Sequence, residues 1–278
     1  MQGASRASLA RLRETLAEQT ADADGSVLRQ LSEDLFAVVT LLASQGSLRR
    51  TISDPGIEAD GKVSIVDSLL GERLTAPALE LVRAIARARW SAPGDVVDAA
   101  EALAVEAALQ RAETDGVLDE VEDELFRFER IIDGGPELRA ALTDRNLPAD
   151  RKGQLVHRLL DGKVADVSLA LIERAVLAPR GRTVERVLEE FTELAAKRRE
   201  RLIARVTSAV ALSEEQQESL VAALAREFSR DIRLQLVVDP DIVGGLTVRI
   251  GDELIDGSVL RHLDAARRYL TGGSGLRT

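Results

Sequence analysis

One short segment of the sequence has a spacing that could bind phosphate. Gly56, Gly61 and Lys62 match a phosphate-binding loop up to its final position, where such a loop carries a hydroxyl that holds magnesium. The residue at that position is Val63, and two acidic residues inside the segment would repel a phosphate. The segment therefore predicts a loop followed by the start of a helix. A phosphate-binding enzyme that uses Lys62 stays as an alternative, which Lys62→Ala would test through loss of an activity.

The histidines and a pair of aspartates give no better support for a metal site or a general base. His157 and His262 lie on separate predicted helices without a supporting motif, so solvated or hydrogen-bonded side chains are expected. Asp22 and Asp24 resemble part of a calcium loop, but the position that needs a bidentate glutamate is Leu31. We therefore predict no catalytic residue, no metal and no cofactor.

Two further features are predicted to be structural. The acidic run from residue 120 to residue 124 is typical of a solvated helix face. Trp90 and Tyr269 are each expected to be a core or capping residue, because an aromatic side chain without a motif rarely marks a binding site. Neither feature therefore indicates chemistry.

Charge and composition exclude several classes of protein. The 278 residues carry a net charge of −10, whereas a protein that binds DNA or RNA concentrates positive charge. The sequence has no cysteine, which excludes disulfides and zinc–thiolate sites. Since no apolar stretch approaches the roughly 20 residues that span a bilayer, a soluble chain is expected. Aromatic residues make up 3%, so the cores must be aliphatic, which favours packed helices.

An internal repeat indicates the architecture. From Ser32 to Ile85 the sequence aligns without gaps to itself after a shift of 90 residues. Most matched positions are apolar, as a shared core requires. The matched pairs include Leu35 with Leu125, Phe36 with Phe126, Arg49 with Arg139, Asp54 with Asp144 and Lys62 with Lys152. The repeat therefore predicts two copies of one bundle of short helices separated by Gly, Pro or Asp.

After residue 200 the apolar period changes from helical to alternating. Alternation predicts strands within 202–212, 232–238 and 246–250, after which a turn at Gly251 and Asp252 leads toward Leu254 and Ile255. Ser213 and Gln216 have the spacing of a capping box that opens a helix. A final amphipathic helix is expected from about residue 258 to residue 270.

The predicted fold is mainly α, with two tandem helical bundles followed by a small C-terminal α+β unit. At this length about two domains are the usual number, and the repeat divides the helical part further. The predicted parts are residues 1–95, which form the duplicate bundle, residues 96–200, which form the second bundle, and residues 201–278, which form the α+β unit.

The C-terminal third resembles a known family. The sequence from Val238 to Leu270 looks like the C-terminal signature of the ATP synthase delta subunits, called the oligomycin-sensitivity-conferring subunit in mitochondria. Residues from about 95 to 195 resemble the helical domain of that family less strongly, and the first copy looks like an added duplicate found in its long bacterial forms. The signature positions are Ser213, Gln216, Asp239, Gly244, Gly245, Arg249, Gly251, Asp256, Gly257 and Ser258.

The resemblance implies a non-enzymatic stator subunit that ties the catalytic head to the peripheral stalk. Its second bundle would receive N-terminal helices of the alpha subunits in a groove between the bundle's first and fifth helices. The α+β unit would hold the ends of the b subunits. Such a subunit reaches the cytoplasmic face of the bacterial plasma membrane only through the complex. The partner-binding candidates are Leu103, Ala107, Leu169, Ile172 and Val176 for the groove, and Val259, Leu260 and Leu263 for the stalk.

Two questions stay open at this stage. A generic helical scaffold or regulatory adaptor is the alternative from another class, because tandem bundles serve many partners. The first copy has no role implied by the resemblance, and contact with the stalk helices is our hypothesis for it.

Overall fold

A computed structural model of the chain describes residues 1, 3–144, 146–200, 203–208, 210, 212–228, 232–239, 246–250 and 253–256. The chain divides into two compact units, Met1–Ala195 and Ala196–Thr278. The first unit is helical and the second contains a sheet, so the predicted fold class is confirmed. The predicted boundary at residues 95 and 96 falls inside a helix of the first unit, and the division of that unit into two domains stays a prediction.

The helices of the described N-terminal part are short and closely spaced. Their bounds are α1 Ala4–Gln19, α2 Gly25–Ser44, α3 Gly46–Ser53, α4 Ala59–Leu70, α5 Ala76–Arg87, α6 Pro93–Thr114, α7 Leu118–Gly134, α8 Pro136–Thr143, α9 Ala149–Leu160, α10 Asp166–Leu177 and α11 Val184–Glu200. Helix α6 ends at Thr114, and Gly116 just after it adopts a φ of 75° that suits a helix end.

The helix bounds reproduce the internal repeat. Helices α3, α4 and α5 begin and end 90 residues before α8, α9 and α10, respectively. The packing repeats as well, because α4 packs on α5 as α9 packs on α10, and α2 packs on α5 as α7 packs on α10. Five helices of one copy therefore correspond to five helices of the other.

Helix α6 belongs to both copies. It is the first helix of the second copy, yet it also lies 90 residues before α11 and packs extensively against α2. Its buried side chains surround the helix on every side, which is typical of a helix enclosed by neighbours. They include Val96, Val97, Ala100, Leu103, Val105, Ala107 and Leu109. The two copies therefore share one central helix and are not separated by a linker.

An acidic residue on the second helix of each copy binds the start of the fifth helix. The Asp34 carboxylate accepts hydrogen bonds from the Thr75 amide at 2.8 Å and from the Thr75 hydroxyl at 2.7 Å. In the second copy Glu124 accepts the Ala165 amide at 3.0 Å. The first amides of a helix lack hydrogen-bond partners within the helix. A carboxylate there accepts a hydrogen bond from one of these amides, and its negative charge interacts favourably with the positive end of the helix dipole.

The second unit contains a four-stranded sheet and one helix in its described part. The elements are β1 Ile203–Ser208, α12 Glu214–Phe228, β2 Arg233–Val238, β3 Leu246–Ile250 and β4 Glu253–Asp256. The strand order is β2-β1-β3-β4, with β1 parallel to β2 and antiparallel to β3. A parallel pair needs a crossover connection, which α12 supplies. The core lies between this helix and one sheet face and contains Ala204, Val206, Leu224, Ile232, Val248 and Ile250.

The predicted capping box is confirmed, but two strand details differ from the prediction. Ser213 Oγ accepts the Gln216 amide at 3.3 Å, and Gln216 Oε1 accepts the Ser213 amide at 2.9 Å. The first strand ends at Ser208, and Val210, predicted within it, is exposed. The predicted apolar face of β2 is buried at Ile232, whereas Leu236 is exposed. Ile232 immediately precedes β2, and β2 is the edge strand of the described sheet, with a neighbouring strand on one side only.

Several predicted features lie outside the described residues. These are the final helix, the stalk-binding candidates Val259, Leu260 and Leu263, and the signature residues Gly244, Gly245, Gly251, Gly257 and Ser258. Arg249 is exposed on β3, and Asp256 ends β4.

Candidate functional site

The main groove of the helical unit lies between α2 and α10, with α6 and α9 contributing to its walls. It encloses about 610 Å³ and has an apolar lining with charged side chains among it. The lining side chains are Arg29, Ser32, Glu33, Phe36 and Ala37 from α2, Ala108 and Arg111 from α6, His157 from α9, and Asp166, Val167, Leu169, Ala170, Leu171, Glu173, Arg174 and Leu177 from α10. The walls therefore come from both copies of the repeat.

The five predicted groove residues are close in the fold but differ in exposure. Leu169 lines the groove and is partly exposed. Leu103, Ala107 and Ile172 are 0% exposed, and Val176 is 2% exposed. In this conformation a partner could contact Leu169 directly, and the other four side chains would support the wall from behind. Their role in partner binding stays a prediction.

The first copy narrows the groove that was predicted between the first and fifth helices of the second copy. Helix α2 packs along α6, and Arg174 of α10 reaches α2 through a hydrogen bond to Thr40 Oγ1 at 2.8 Å. The Arg174 guanidinium also lies 4.6 Å from the centre of the Phe36 ring, a cation–π arrangement. Burial lowers the pKa of Arg174. Sequence reasoning missed this wall, because a helical period shows which face is apolar but not which helix covers it.

One residue at the rim of the groove is a histidine with a raised pKa. His157 Nδ1 is 2.9 Å from Asp161 Oδ1, and its Nε2 is 3.5 Å from Glu173 Oε2. The hydrogen bond to Asp161 is the main cause of the raised pKa of His157, and the nearby charge of Glu173 adds to it. The predicted hydrogen-bonded role of this histidine is therefore confirmed.

A buried carboxylate holds the connection between α10 and α11. Glu101, on α6, is 6% exposed and accepts hydrogen bonds from Arg180 Nε at 3.1 Å and from Arg182 Nη2 at 2.7 Å. Arg180 adopts a φ of 52°, which is uncommon for a residue with a side chain. Burial, the largest single effect, lowers the pKa of Arg180, but the hydrogen bonds and charges of Glu101 and Asp98 together outweigh burial and leave the pKa raised. This cluster fixes the geometry of the helices next to the groove.

The segments that resembled chemical motifs have structural roles. Lys62 is buried in the first turn of α4, so the phosphate-like segment is a loop followed by a helix start. Asp24 caps α2 by accepting hydrogen bonds from the Ser26 hydroxyl and from the amides of Val27 and Ser26, and these hydrogen bonds lower the pKa of Asp24. Trp90 is buried and its Nε1 donates to the Ile85 carbonyl at 2.9 Å, as expected for a core residue.

The acidic run on α7 is only partly a solvated face. Glu120 and Asp123 are exposed as predicted, whereas Glu124 is half-buried and binds the start of α10. The sequence contains a signal for this role that was missed. Asp34 and Glu124 are 90 residues apart, so an acidic residue stands at the same position of both copies.

The described residues show which kinds of site this chain offers. Across the described residues no group of three or more acidic, histidine or cysteine side chains is placed to hold a metal. No helix in those ranges is long and apolar enough to cross a membrane. The helical unit has an apolar groove between packed helices, a shape that can receive an amphipathic helix of another protein.

Comparison with known proteins supplies the family. The family model described as ATP synthase delta (OSCP) subunit matches residues 100–270. A relative from Kineococcus radiotolerans, named ATP synthase subunit delta, is 47% identical over 97% of this chain and 98% of its own length. A Streptomyces avermitilis protein of the same name is 46% identical over 96% of this chain and 98% of its own. The chain therefore belongs to the ATP synthase delta (OSCP) subunit family, whose members are non-catalytic subunits of the peripheral stalk.

The comparisons also bear on the first copy. The family model begins at residue 100, after the first copy, whereas the relatives align over nearly the whole chain. A Thermobifida fusca ATP synthase subunit delta, 45% identical, covers 98% of this chain and is itself covered completely. The first copy is thus shared with these relatives. A solved structure of the Toxoplasma gondii mitochondrial ATP synthase hexamer aligns with 62% of this chain at 16% identity and a TM-score of 0.30.

Proposed function

We propose that this chain links the alpha subunits of an ATP synthase head to the b subunits of its peripheral stalk. The observation that carries the proposal is its identity with proteins named ATP synthase subunit delta over nearly the whole of both chains. The work of such a subunit is mechanical, since the stator must resist the torque that the rotor exerts on the head. A long interface lifetime, and no bond-making step, is what this function requires.

The head contact is assigned to the groove between α2 and α10. Its apolar floor and wall suit the apolar face of an amphipathic helix, and Leu169 lies within direct reach. Charged side chains of both signs surround the apolar part, including Arg29, Glu33 and Arg111. Burying apolar area contributes about 25 cal/mol per Å² before the cost of association, so a durable joint needs several such contacts along a helix.

The stalk contact is assigned to the C-terminal unit on the strength of the sequence. Val259, Leu260 and Leu263 carry this assignment as the apolar positions of the final amphipathic segment. Attachment to the stalk would place the chain at the cytoplasmic face of the bacterial plasma membrane as a peripheral protein, held there through the complex.

The head contact can be tested with the full-length chain and a synthetic peptide of the alpha subunit's N-terminal segment. Leu169→Glu places a charge in the groove and should weaken binding of the peptide at least tenfold, whereas Leu69→Glu should leave it unchanged. Leu69 is a matched control because it is a leucine on another helix and is 47% exposed. Equal binding by the two variants would assign the head contact to another surface. Point variants are preferable to deleting the first copy, because the deletion would expose the side of α6 that α2 buries.

A further inference from the structure

Helices α2 and α7 occupy the same place in the two copies, so their outer faces can be compared residue by residue. Each presents an acidic residue to the start of the fifth helix of its copy, through Asp34 and Glu124. Each also has its C-terminal carbonyls bound by an arginine, because Arg49 donates to the Ala43 carbonyl at 2.6 Å and Arg139 donates to the Asp133 carbonyl at 3.0 Å. The 90-residue register then places Phe126 on α7 where Phe36 stands on α2.

The outer face of α2 is covered inside the chain. Arg174 of α10 lies over the Phe36 ring with its guanidinium carbon 4.6 Å from the ring centre. The same guanidinium donates to Thr40 Oγ1, one helical turn further along. This contact shows how such a phenylalanine is covered, namely by a helix that lays a cation on the ring.

Among the described residues, no helix covers the equivalent face of α7 around Phe126 as α10 covers Phe36. Phe126 is 50% exposed, whereas Phe36 is partly buried against the core. Leaving a large ring in water forgoes favourable burial, so an exposed phenylalanine on an ordered helix suggests that something binds there. A lone exposed side chain would not carry this conclusion, but the covered counterpart within the same chain supports it.

The charge of α7 selects the partner. This helix carries seven acidic residues and two arginines, and Asp119 and Asp123 are exposed on the same side as Phe126. Burial raises the pKa of Glu129, and the nearby charges of Glu189 and Asp133 raise it further, so negative charge is in excess along this helix. Basic side chains would relieve that repulsion.

A second copy of this chain does not fit the face. Within the chain, α10 of the second copy covers α2 of the first copy. If a second molecule bound in the same way, its α5 would cover α7, because α5 corresponds to α10 and α7 corresponds to α2. The residue of α5 that corresponds to Arg174 is Ala84. The neighbouring Arg83 is held by Asp67 at 2.6 Å. The cation that covers Phe36 therefore has no counterpart on the surface that a second copy would present.

We propose that the α7 face centred on Phe126, together with Asp119 and Asp123, binds a basic amphipathic helix of another protein that lays an arginine or lysine over the Phe126 ring. This surface is separate from the groove between α2 and α10. Binding of a helix there would be an interaction in addition to the proposed function.

The probe is a labelled peptide with the sequence of residues 166–177, in which Asp166→Lys and Glu173→Lys make the helix basic while Arg174 is kept. Fluorescence anisotropy with the full-length chain should show saturable binding. Phe126→Ser should weaken it about tenfold, because it removes the ring that receives the cation. Raising the salt from about 0.05 M to about 0.5 M should weaken it further by screening the carboxylates.

Two controls separate the specific contact from general stickiness. Leu69→Ser removes another large exposed apolar side chain, 47% exposed on α4, and should leave the affinity unchanged. A peptide in which Arg174→Gln removes the cation should bind the unaltered chain about as weakly as the Arg174 peptide binds the Phe126→Ser chain. The proposal is overturned if Phe126→Ser and the unaltered chain bind the peptide equally, including the case in which neither binds at millimolar concentrations.

Photo-cross-linking identifies the natural occupant. With benzoylphenylalanine at position 126 of the chain in the assembled ATP synthase complex, we expect an adduct to a helical segment bearing arginine or lysine. An adduct to an acidic segment, or a yield no greater than from position 69, would contradict the proposal. Either result leaves the proposed stator function untouched, because that function is tested in the groove.

Discussion

The two copies of the repeat close the connection after their fifth helix in different ways. In the first copy Trp90 fills the position with an indole that is 8% exposed and donates to the Ile85 carbonyl. In the second copy the equivalent residue is Arg180, which together with Arg182 surrounds the Glu101 carboxylate. The same position of the repeat thus carries an apolar closure in one copy and an ionic closure in the other, and the backbone differs there as well, because Arg180 has a positive φ and Trp90 does not.

The two closures are destabilised by different kinds of substitution. An apolar closure depends on shape and fails when a cavity is opened. An ionic closure depends on complete pairing, because a buried charge left without its partner is costly. Since Glu101 lies on α6, which both copies share, the ionic closure also ties the second copy to the helix that α2 covers.

The largest expected effect breaks the apolar closure. Trp90→Ala should lower the free energy of unfolding by about 4 kcal/mol, because it removes a buried indole and leaves a cavity. Urea unfolding followed by circular dichroism measures it. Trp90→Phe keeps a ring and loses the hydrogen bond to Ile85, so a loss of about 1 kcal/mol is expected. A loss under about 1 kcal/mol for the alanine variant would show that the indole does not close the first copy.

The next effect breaks the ionic closure. Glu101→Ala leaves two arginines without their shared carboxylate and should cost about 3 kcal/mol of unfolding free energy. The same urea titration applies. Glu33→Ala is the control, because Glu33 forms an exposed pair with Arg29 and its loss should change stability little. If the two variants were equally stable, the buried network would have no net role.

A smaller effect compares the acidic residues that bind the fifth helices. Asp34→Ala should cost about 2 kcal/mol, since the Asp34 carboxylate accepts both the amide and the hydroxyl of Thr75. Glu124→Ala should cost about 1 kcal/mol, because the Glu124 carboxylate accepts the Ala165 amide and its side chain is less buried than that of Asp34. A reversed order in thermal unfolding would contradict this ranking of the two contacts.

The smallest effect concerns pH and again contrasts the copies. Asp67 with Arg83 in the first copy corresponds to His157 with Glu173 in the second, so the second pair is ionic only when His157 is protonated. Because the folded pKa of His157 is raised, its stabilising contribution is present in acid and is lost as pH rises through that pKa. The stability difference between the unaltered chain and His157→Asn should therefore be larger at about pH 5.5 than at about pH 8. Equal differences at both pH values would refute it.

Much of the fold could be predicted from the sequence because the repeat constrains it. A shift of 90 residues aligns Arg49 with Arg139 and Asp54 with Asp144. The structure explains both identities through shared hydrogen bonds, as when Asp54 and Asp144 each accept the amide two residues ahead at 2.8 Å. The capping box at Ser213 could also be predicted from the sequence, because its two hydrogen bonds join residues three positions apart.

The candidate site was less predictable, because its geometry depends on contacts between distant residues. Nothing local marks Arg174 as the side chain that meets Phe36 across 138 positions, or Glu101 as the acceptor for Arg180. The sequence assigned α6 to the second copy alone, and its burial by both copies emerges only from packing. The candidate groove residues, which the resemblance placed on the first and fifth helices of the second copy, therefore included four that the shared helix arrangement buries.

Reconstitution tests most directly the proposal that this chain joins the head to the stalk without catalysing a reaction. Membranes whose ATP synthase lacks this chain should lose proton-driven ATP synthesis, although the detached head still hydrolyses ATP. Adding the purified chain should return the head to the membrane and restore synthesis. If the head rebinds and synthesis proceeds without the chain, or if the added chain restores neither, the account is wrong.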